Sequence, residues 1–265
     1  MNIFLREMKA FRKSLIIWSI GMLFLVGSGM AKYAGLATSG QSMNEIWSAM
    51  PKSLQAIMGT GALDISKVSG YFGVLYIYLV LMATIHAVML GATIIAKEER
   101  DKTAEFLFVK PVSRMSIISA KLLVAVANIV SLNIVTGVSS IYLVGKYSEG
   151  ESVNAHIAIA MTAMLILQLL FLFIGSAIAS VSKKPKLAAS ISTGILLITY
   201  ILSIVIDLNE KLSFMEYLSP FKYFEAKIMM NGGGVDSKFI VLSLISIVIL
   251  LMITFVFYRR KDLKI

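Results

Sequence analysis

The sequence predicts an all-α, polytopic membrane protein with six transmembrane helices, and three observations carry that prediction. Of 265 residues, 58% are hydrophobic and 15% charged, with a mean hydropathy of +0.84; a soluble domain is about half apolar and about a quarter charged. Six apolar windows follow one another, each long enough, or nearly so, to cross a hydrocarbon core of about 30 Å. Basic residues collect in alternate connections between those windows.

The windows run over residues 14–34, 71–96, 122–144, 157–181, 187–206 and 239–258. Connections on the cytoplasmic side of a membrane protein are enriched in Lys and Arg. With the N-terminus placed inside, the inner connections hold 17 of the 25 basic residues and 6 of the 15 acidic ones, and the outer connections hold 8 and 9. A miscounted helix would scramble that asymmetry, so both termini are expected in the cytoplasm of a plasma-membrane protein. No period of 20–50 residues repeats, and a single transmembrane domain is expected over residues 1–265.

Residues 1–13, MNIFLREMKAFRK, can share Ile3, Phe4, Met8 and Phe11 on one face while Arg6, Lys9, Arg12 and Lys13 reach headgroups. This pattern predicts an N-terminal interfacial helix, with an unordered basic tail as its alternative. The basic-then-apolar start resembles a signal peptide, but the apolar run exceeds the usual length of about 7–15 residues and is read as a retained first span. Residues 35–70 and 207–238 are too apolar for free coil. Short re-entrant or outer helices are expected in both, the latter immediately before the sixth span, with Pro220 and Phe221 as a candidate outer gate.

Several function classes are excluded by residue type. There are no cysteines, hence no disulfide, thiolate metal site or cysteine nucleophile. Two histidines, His86 and His156, are too few for an imidazole zinc site, and no metal is expected. The net charge of +10 lies in short connections instead of on a folded face, which disfavours nucleic acid. No G-x-x-x-x-G-K-[ST] phosphate loop and no H-E-x-x-H are present. Glu98 and Glu99 resemble the paired glutamates of intramembrane proteases, yet the arginine expected four positions after the second is Thr103 here. Inside the spans, His86 is the ionisable residue farthest from either end. With Met82 and Met89 it is a candidate lining of a transport path. A hydrogen-bonded packing role for His86 is the alternative. Small residues at Gly21, Gly27, Gly29, Gly137 and Gly175–Ser180 suit close helix packing.

The connection KEERDKTAEFLFVKPVSRMSIISAK, residues 97–121, is the most informative. It continues the second span as a charged helix, exposes Phe106, Leu107, Phe108 and Val109 as an apolar knob, and breaks at Pro111. Ser113 is placed to cap the next helix. An apolar knob among charges is what a socket on another protein grips; a knob lying on the inner leaflet is the alternative.

Residues 98–114, E-E-R-D-K-T-A-E-F-L-F-V-K-P-V-S-R, resemble the loop after the second span in ABC-2-type permeases, the membrane subunits of one class of ATP-binding-cassette exporter. The stretch L-S-P-F-K-Y-F, residues 218–224, is similar to one that often precedes the last span there. Ala104 departs from the bulkier residue or glycine-threonine pair of many relatives. The resemblance covers nearly the whole chain. It implies a cytoplasmic coupling helix between the second and third spans, binding an ATPase through Glu98, Glu99, Asp101, Lys102, Thr103, Glu105, Phe106, Leu107, Phe108, Val109, Pro111 and Arg114. It further implies two copies of that separate ABC ATPase, which would carry ATP and Mg, a second permease, identical or related, and no cofactor or catalytic site in this chain. An exporter of amphipathic peptides (toxins, bacteriocins or antimicrobials), or of hydrophobic drugs or lipids, is the expected function. A non-transporting scaffold or sensor, or an intramembrane hydrolase, are the rivals.

Overall fold

The computed structural model describes residues 3–37, 47, 49–59, 63–102, 113–148, 150 and 153–261. Among them the chain is helical and contains six helices long and apolar enough to cross a membrane. These are α1 (Ile3–Ala37), α3 (Val68–Arg100), α4 (Arg114–Gly145), α5 (Asn154–Val181), α6 (Pro185–Leu208) and α8 (Ser237–Arg260). Short helices α2 (Lys52–Met58) and α7 (Ala226–Met230), with 3₁₀ turns at Glu210–Leu218 and Pro220–Lys222, occupy the two long connections. Every predicted window lies inside one of the six long helices, and most helices run several residues past it. Residues 103–112, the greater part of the expected coupling helix, lie outside the described residues.

Local chemistry sets many of the boundaries. Ser113 accepts a hydrogen bond from the Ser116 N–H at 3.1 Å and starts α4, as its position in the sequence predicts. Pro185 opens α6, where its missing N–H costs nothing. Asp236 accepts from the Lys238 N–H at 2.9 Å and starts α8. At the end of α2, Gly59 takes φ +68° and returns its N–H to the preceding turn, a left-handed cap that glycine adopts without a Cβ clash.

The sequence predicts a separate interfacial helix over residues 1–13, but α1 runs unbroken from residue 3 through the first span. No proline lies in α1 and its first glycine is Gly21, so nothing in the backbone calls for a break at the membrane surface. Phe4, Met8 and Phe11 do form one face, and it packs on the core formed by α3 and α4 residues such as Ile94, Ile118 and Leu122. Lys9, Arg12 and Lys13 stay exposed, as headgroup contacts require.

The bundle is built around α3 and α5. Burial covers 72% of the most apolar stretch of α3 and 61% of that of α5, against 17% for α1 and 22% each for α6 and α8. The two central helices approach until their backbones touch. A Cβ on Gly91 would collide with the Leu172 carbonyl, and one on Gly175 with the Val88 carbonyl. Ser176 Oγ donates to Leu172 O at 2.9 Å and reaches Gly91 O at 3.3 Å. Lipid gives helices no hydrophobic reason to associate, so such backbone proximity supplies the packing.

Gly91→Val and Gly175→Val should each lower stability by about 1–3 kcal/mol or more, because the obstructing atoms are backbone and cannot swing aside. Gly194→Val, where a Cβ meets nothing within 4 Å, should be close to neutral. Thermal unfolding midpoints in mild detergent compare the three.

Candidate functional site

The foot of the bundle, the end that carries both described termini, holds the most deeply buried charges among the described residues. Lys121 lies two turns into α4 with its side chain fully enclosed. A buried ammonium is tolerated only when paired and hydrogen-bonded. Lys121 Nζ donates to the Ile94 carbonyl at 2.6 Å and bonds directly to the Glu98 carboxylate on α3. The network continues to α1. Arg6 lies 3.7 Å from Glu98 and 2.7 Å from Glu7, and Lys97 is 3.3 Å from Glu7, whose side chain is also fully buried. Three helices are thereby joined by five charged side chains.

Glu99, one position on, turns to a different side. It pairs at 2.6 Å with Lys261, just past α8, whose Nζ also donates to the Ala179 carbonyl of α5 at 3.1 Å. Arg114, the first residue of α4, donates to the Lys261 carbonyl at 2.8 Å. The last turn of α3 therefore holds α1 and α4 through Glu98 and α5 and α8 through Glu99.

The connection between α3 and α4 leaves this hub immediately. Asp101 and Lys102 are exposed, and Lys102 takes φ +54°, ending α3 in a left-handed turn. Arg100 hydrogen-bonds Asp101 at 2.9 Å and holds its carboxyl below the usual carboxylate range. Thr103, Glu105, Phe106, Leu107, Phe108, Val109 and Pro111 lie outside the described residues. Of the remaining candidate docking residues, Glu98 and Glu99 are engaged within the chain, while Asp101, Lys102 and Arg114 stand at or near the surface.

The candidate path residues divide. Met82 and Met89 lie on the exposed stripe of α3, with Tyr78 one turn from Met82. His86 is buried and packs on Trp18 of α1 with ring centroids 5.2 Å apart. Its Nδ1 has no hydrogen-bond partner among the described residues. At the opposite end, Pro220 is buried, and the Phe221 ring sits between Phe171 of α5 and Tyr200 of α6, 5.2 Å from each.

That far end has a charge cluster of its own. Lys222 lies 2.8 Å from Asp207 at the end of α6 and contacts Glu225 directly, and Lys227 is 2.7 Å from Glu225. Burial alone would raise the Glu225 carboxyl, but hydrogen bonds from Lys222 and Lys227 outweigh it and hold the group below its ordinary value. Burial alone would lower Lys222, and its bonds to Asp207 and Glu225 raise it instead.

The sequence places Lys121 in a connection and gives Glu7, Lys97 and Lys261 no role. Their pairing depends on which helices meet. The available signal was the Ser113 cap, which puts Lys121 inside a helix rather than before one.

Removing one member of the foot cluster, as in Lys121→Met or Glu98→Gln, should cost about 3–5 kcal/mol, because the other is left charged and buried. The double variant Lys121→Met/Glu98→Leu should recover most of that loss in the same unfolding measurement. At the far end, the depressed Glu225 contributes stability fully present above about pH 4.5 and lost as pH falls through its lower folded value. The raised Lys222 contributes below about pH 10.5, and that part is lost as pH rises through its folded value. Glu225→Gln should flatten the acid limb of the unfolding midpoint against pH.

The comparison with curated proteins yields no match. The family model described as ABC-2 family transporter protein matches residues 1–263, nearly the whole chain, in agreement with the six spans of the bundle and with the resemblance carried by residues 98–114. The chain belongs to the ABC-2 family of transporter proteins, as a multi-pass membrane protein of the permease type.

Proposed function

We propose that this chain is the permease subunit of an ABC exporter, forming the translocation path as a dimer and driven by a separate cytoplasmic ATPase, present in two copies, that carries the ATP and Mg. Family membership over residues 1–263 is the observation that carries the reading. The sequence adds its support, since it contains no phosphate-binding loop of its own.

The ATPase docks on the segment between α3 and α4, with Phe106 and Leu107 in an apolar socket and Asp101, Lys102 and Arg114 at its polar margin. Both ends of that segment spring from the charged hub, so a push on the docked segment reaches α1, α4, α5 and α8 together. The exposed stripe of α3, with Met82 and Met89, faces the second permease across the path. The membrane is the plasma membrane, with both termini in the cytoplasm. The substrate is an amphipathic peptide of the toxin, bacteriocin or antimicrobial kind, moved outward.

Phe106→Asp and Leu107→Asp should leave the chain inserted and abolish co-purification of the ATPase, because a charge enters an apolar socket without a partner. Mild-detergent pull-down followed by substrate-stimulated ATP hydrolysis reads both steps. Retained ATPase and retained transport in both variants would overturn the docking assignment.

A further inference from the structure

The far end of the bundle holds a cleft of about 410 Å³ between α2, α3, α6 and the return segment before α8. That volume is within the range of about 300–1,000 Å³ typical of small-ligand sites. Its chemistry changes with depth. Charged groups form the rim at the end of α6, where Asp207 faces Lys222, Glu225 and Lys227. One turn further in on α6 come Ser203 and Ile204, and one more turn brings Tyr200, roughly 10 Å below the rim. Tyr76 and Val80 of α3 line the opposite wall, against an aromatic face from Phe221. The polarity gradient runs in the same direction as that of a lipid leaflet, from headgroup to hydrocarbon.

Two further observations mark a ligand site. Tyr76 is 98% buried, and its hydroxyl has no hydrogen-bond partner among the described residues. An orphaned buried hydroxyl is costly, and an occupant with an acceptor at that depth relieves it. The rim is electrically balanced, with two ammonium groups alternating with two carboxylates. Lys222 is closed in, its side chain 8% exposed, whereas Asp207 and Lys227 remain accessible at 38% and 44% and lie 3.9 Å apart. A carboxylate and an ammonium side by side complement a phosphate and an ammonium joined by a short linker.

We propose that this cleft binds the zwitterionic headgroup and one acyl chain of a phosphoethanolamine- or phosphocholine-type lipid. Lys227 takes the phosphate, Asp207 takes the headgroup ammonium, and the ester or glycerol oxygens descend toward the Tyr76 hydroxyl. An anionic headgroup meets two carboxylates with no net positive charge to offset them. A hydrophobic cation at the exposed Asp207 meets the Lys227 ammonium 3.9 Å away, which repels it. The site stands on this geometry and does not depend on the transport reading.

The test uses the full chain in dodecyl maltoside, without an ATPase, and a diazirine-tailed phosphatidylethanolamine as the probe. Photolabelling should map to α3 and α6 peptides around residues 76–80 and 200–207. Unlabelled phosphatidylethanolamine and phosphatidylcholine should compete at least 10-fold better than phosphatidylglycerol. Ile204→Trp, which fills the cleft, should reduce labelling at least 10-fold, Lys227→Glu about 5-fold, and Tyr76→Phe about 3-fold with an unchanged unfolding midpoint. Should Ile204→Trp fail to fold, the conservative Tyr76→Phe and the competition series decide. Labelling spread evenly over the exposed faces of α1 and α8 would overturn the proposal, as would equal competition by phosphatidylglycerol. Displacement by an amphipathic peptide but not by zwitterionic lipid would overturn it too, assigning the cleft to peptide.

Discussion

A lysine withdrawn from water must find its countercharge, and the lower half of this bundle is organised by that requirement. Lys121 is enclosed on every side, and Glu98 is its charged partner. Glu98 can serve because Arg6 balances it from α1, and Arg6 is held in turn by Glu7, which Lys97 also pairs. Adjacent positions on a helix point about 100° apart, so Glu99 necessarily looks elsewhere, and it finds Lys261. Two consecutive glutamates thus distribute one helix end among four neighbours. The segment between α3 and α4 begins two residues later and ends at Arg114, itself bonded to the chain after α8.

The middle of the bundle is held by different means. Charge is nearly absent there, and the central contact is backbone against backbone at Gly91 and Gly175, supported by Ser176. Polar side chains in this layer bond mostly to carbonyls of their own helix or of a neighbouring one, as Thr84, Thr136 and Ser192 do, or to one another, as Asn133 does to Gln168. The far end returns to charge, with Lys222 between two carboxylates and the Tyr223 ring stacked 4.8 Å from Phe239. Polar layers thus bracket an apolar one, the order that a bilayer imposes on any spanning fold.

The six spans were legible in the sequence because hydropathy and charge asymmetry are local and additive. The Ser113 cap was legible for the same reason, needing only its own helix to act. The packing role of Gly175 could be read from the small residues around it, but Gly91 stands in a run of larger apolar residues and shows its role only when α5 lies against it. The Ser113 cap puts Lys121 on a helix, but its burial could not be read. A lysine near the end of a span looks identical whether it snorkels to water or meets a glutamate on another helix, and the choice is made by the distance between helices. The N-terminal stretch was legible as amphipathic, though not as continuous with α1, because its apolar face serves a leaflet and a protein surface equally well.

The continuity of α1 has a mechanical consequence. Thirty-five residues of unbroken helix form a rod of about 52 Å, well over the hydrocarbon thickness of about 30 Å. Its apolar part, residues 14–34, matches that thickness, and the charged turns before it carry the rod on into the foot of the bundle. Its lower end is pinned at Arg6 and Glu7, so a change of tilt in the leaflet cannot be absorbed at a joint and arrives as leverage on the last turn of α3. A tilt of α1 would thereby act, through Arg6 and Glu7, on the same turn from which the α3–α4 segment leaves.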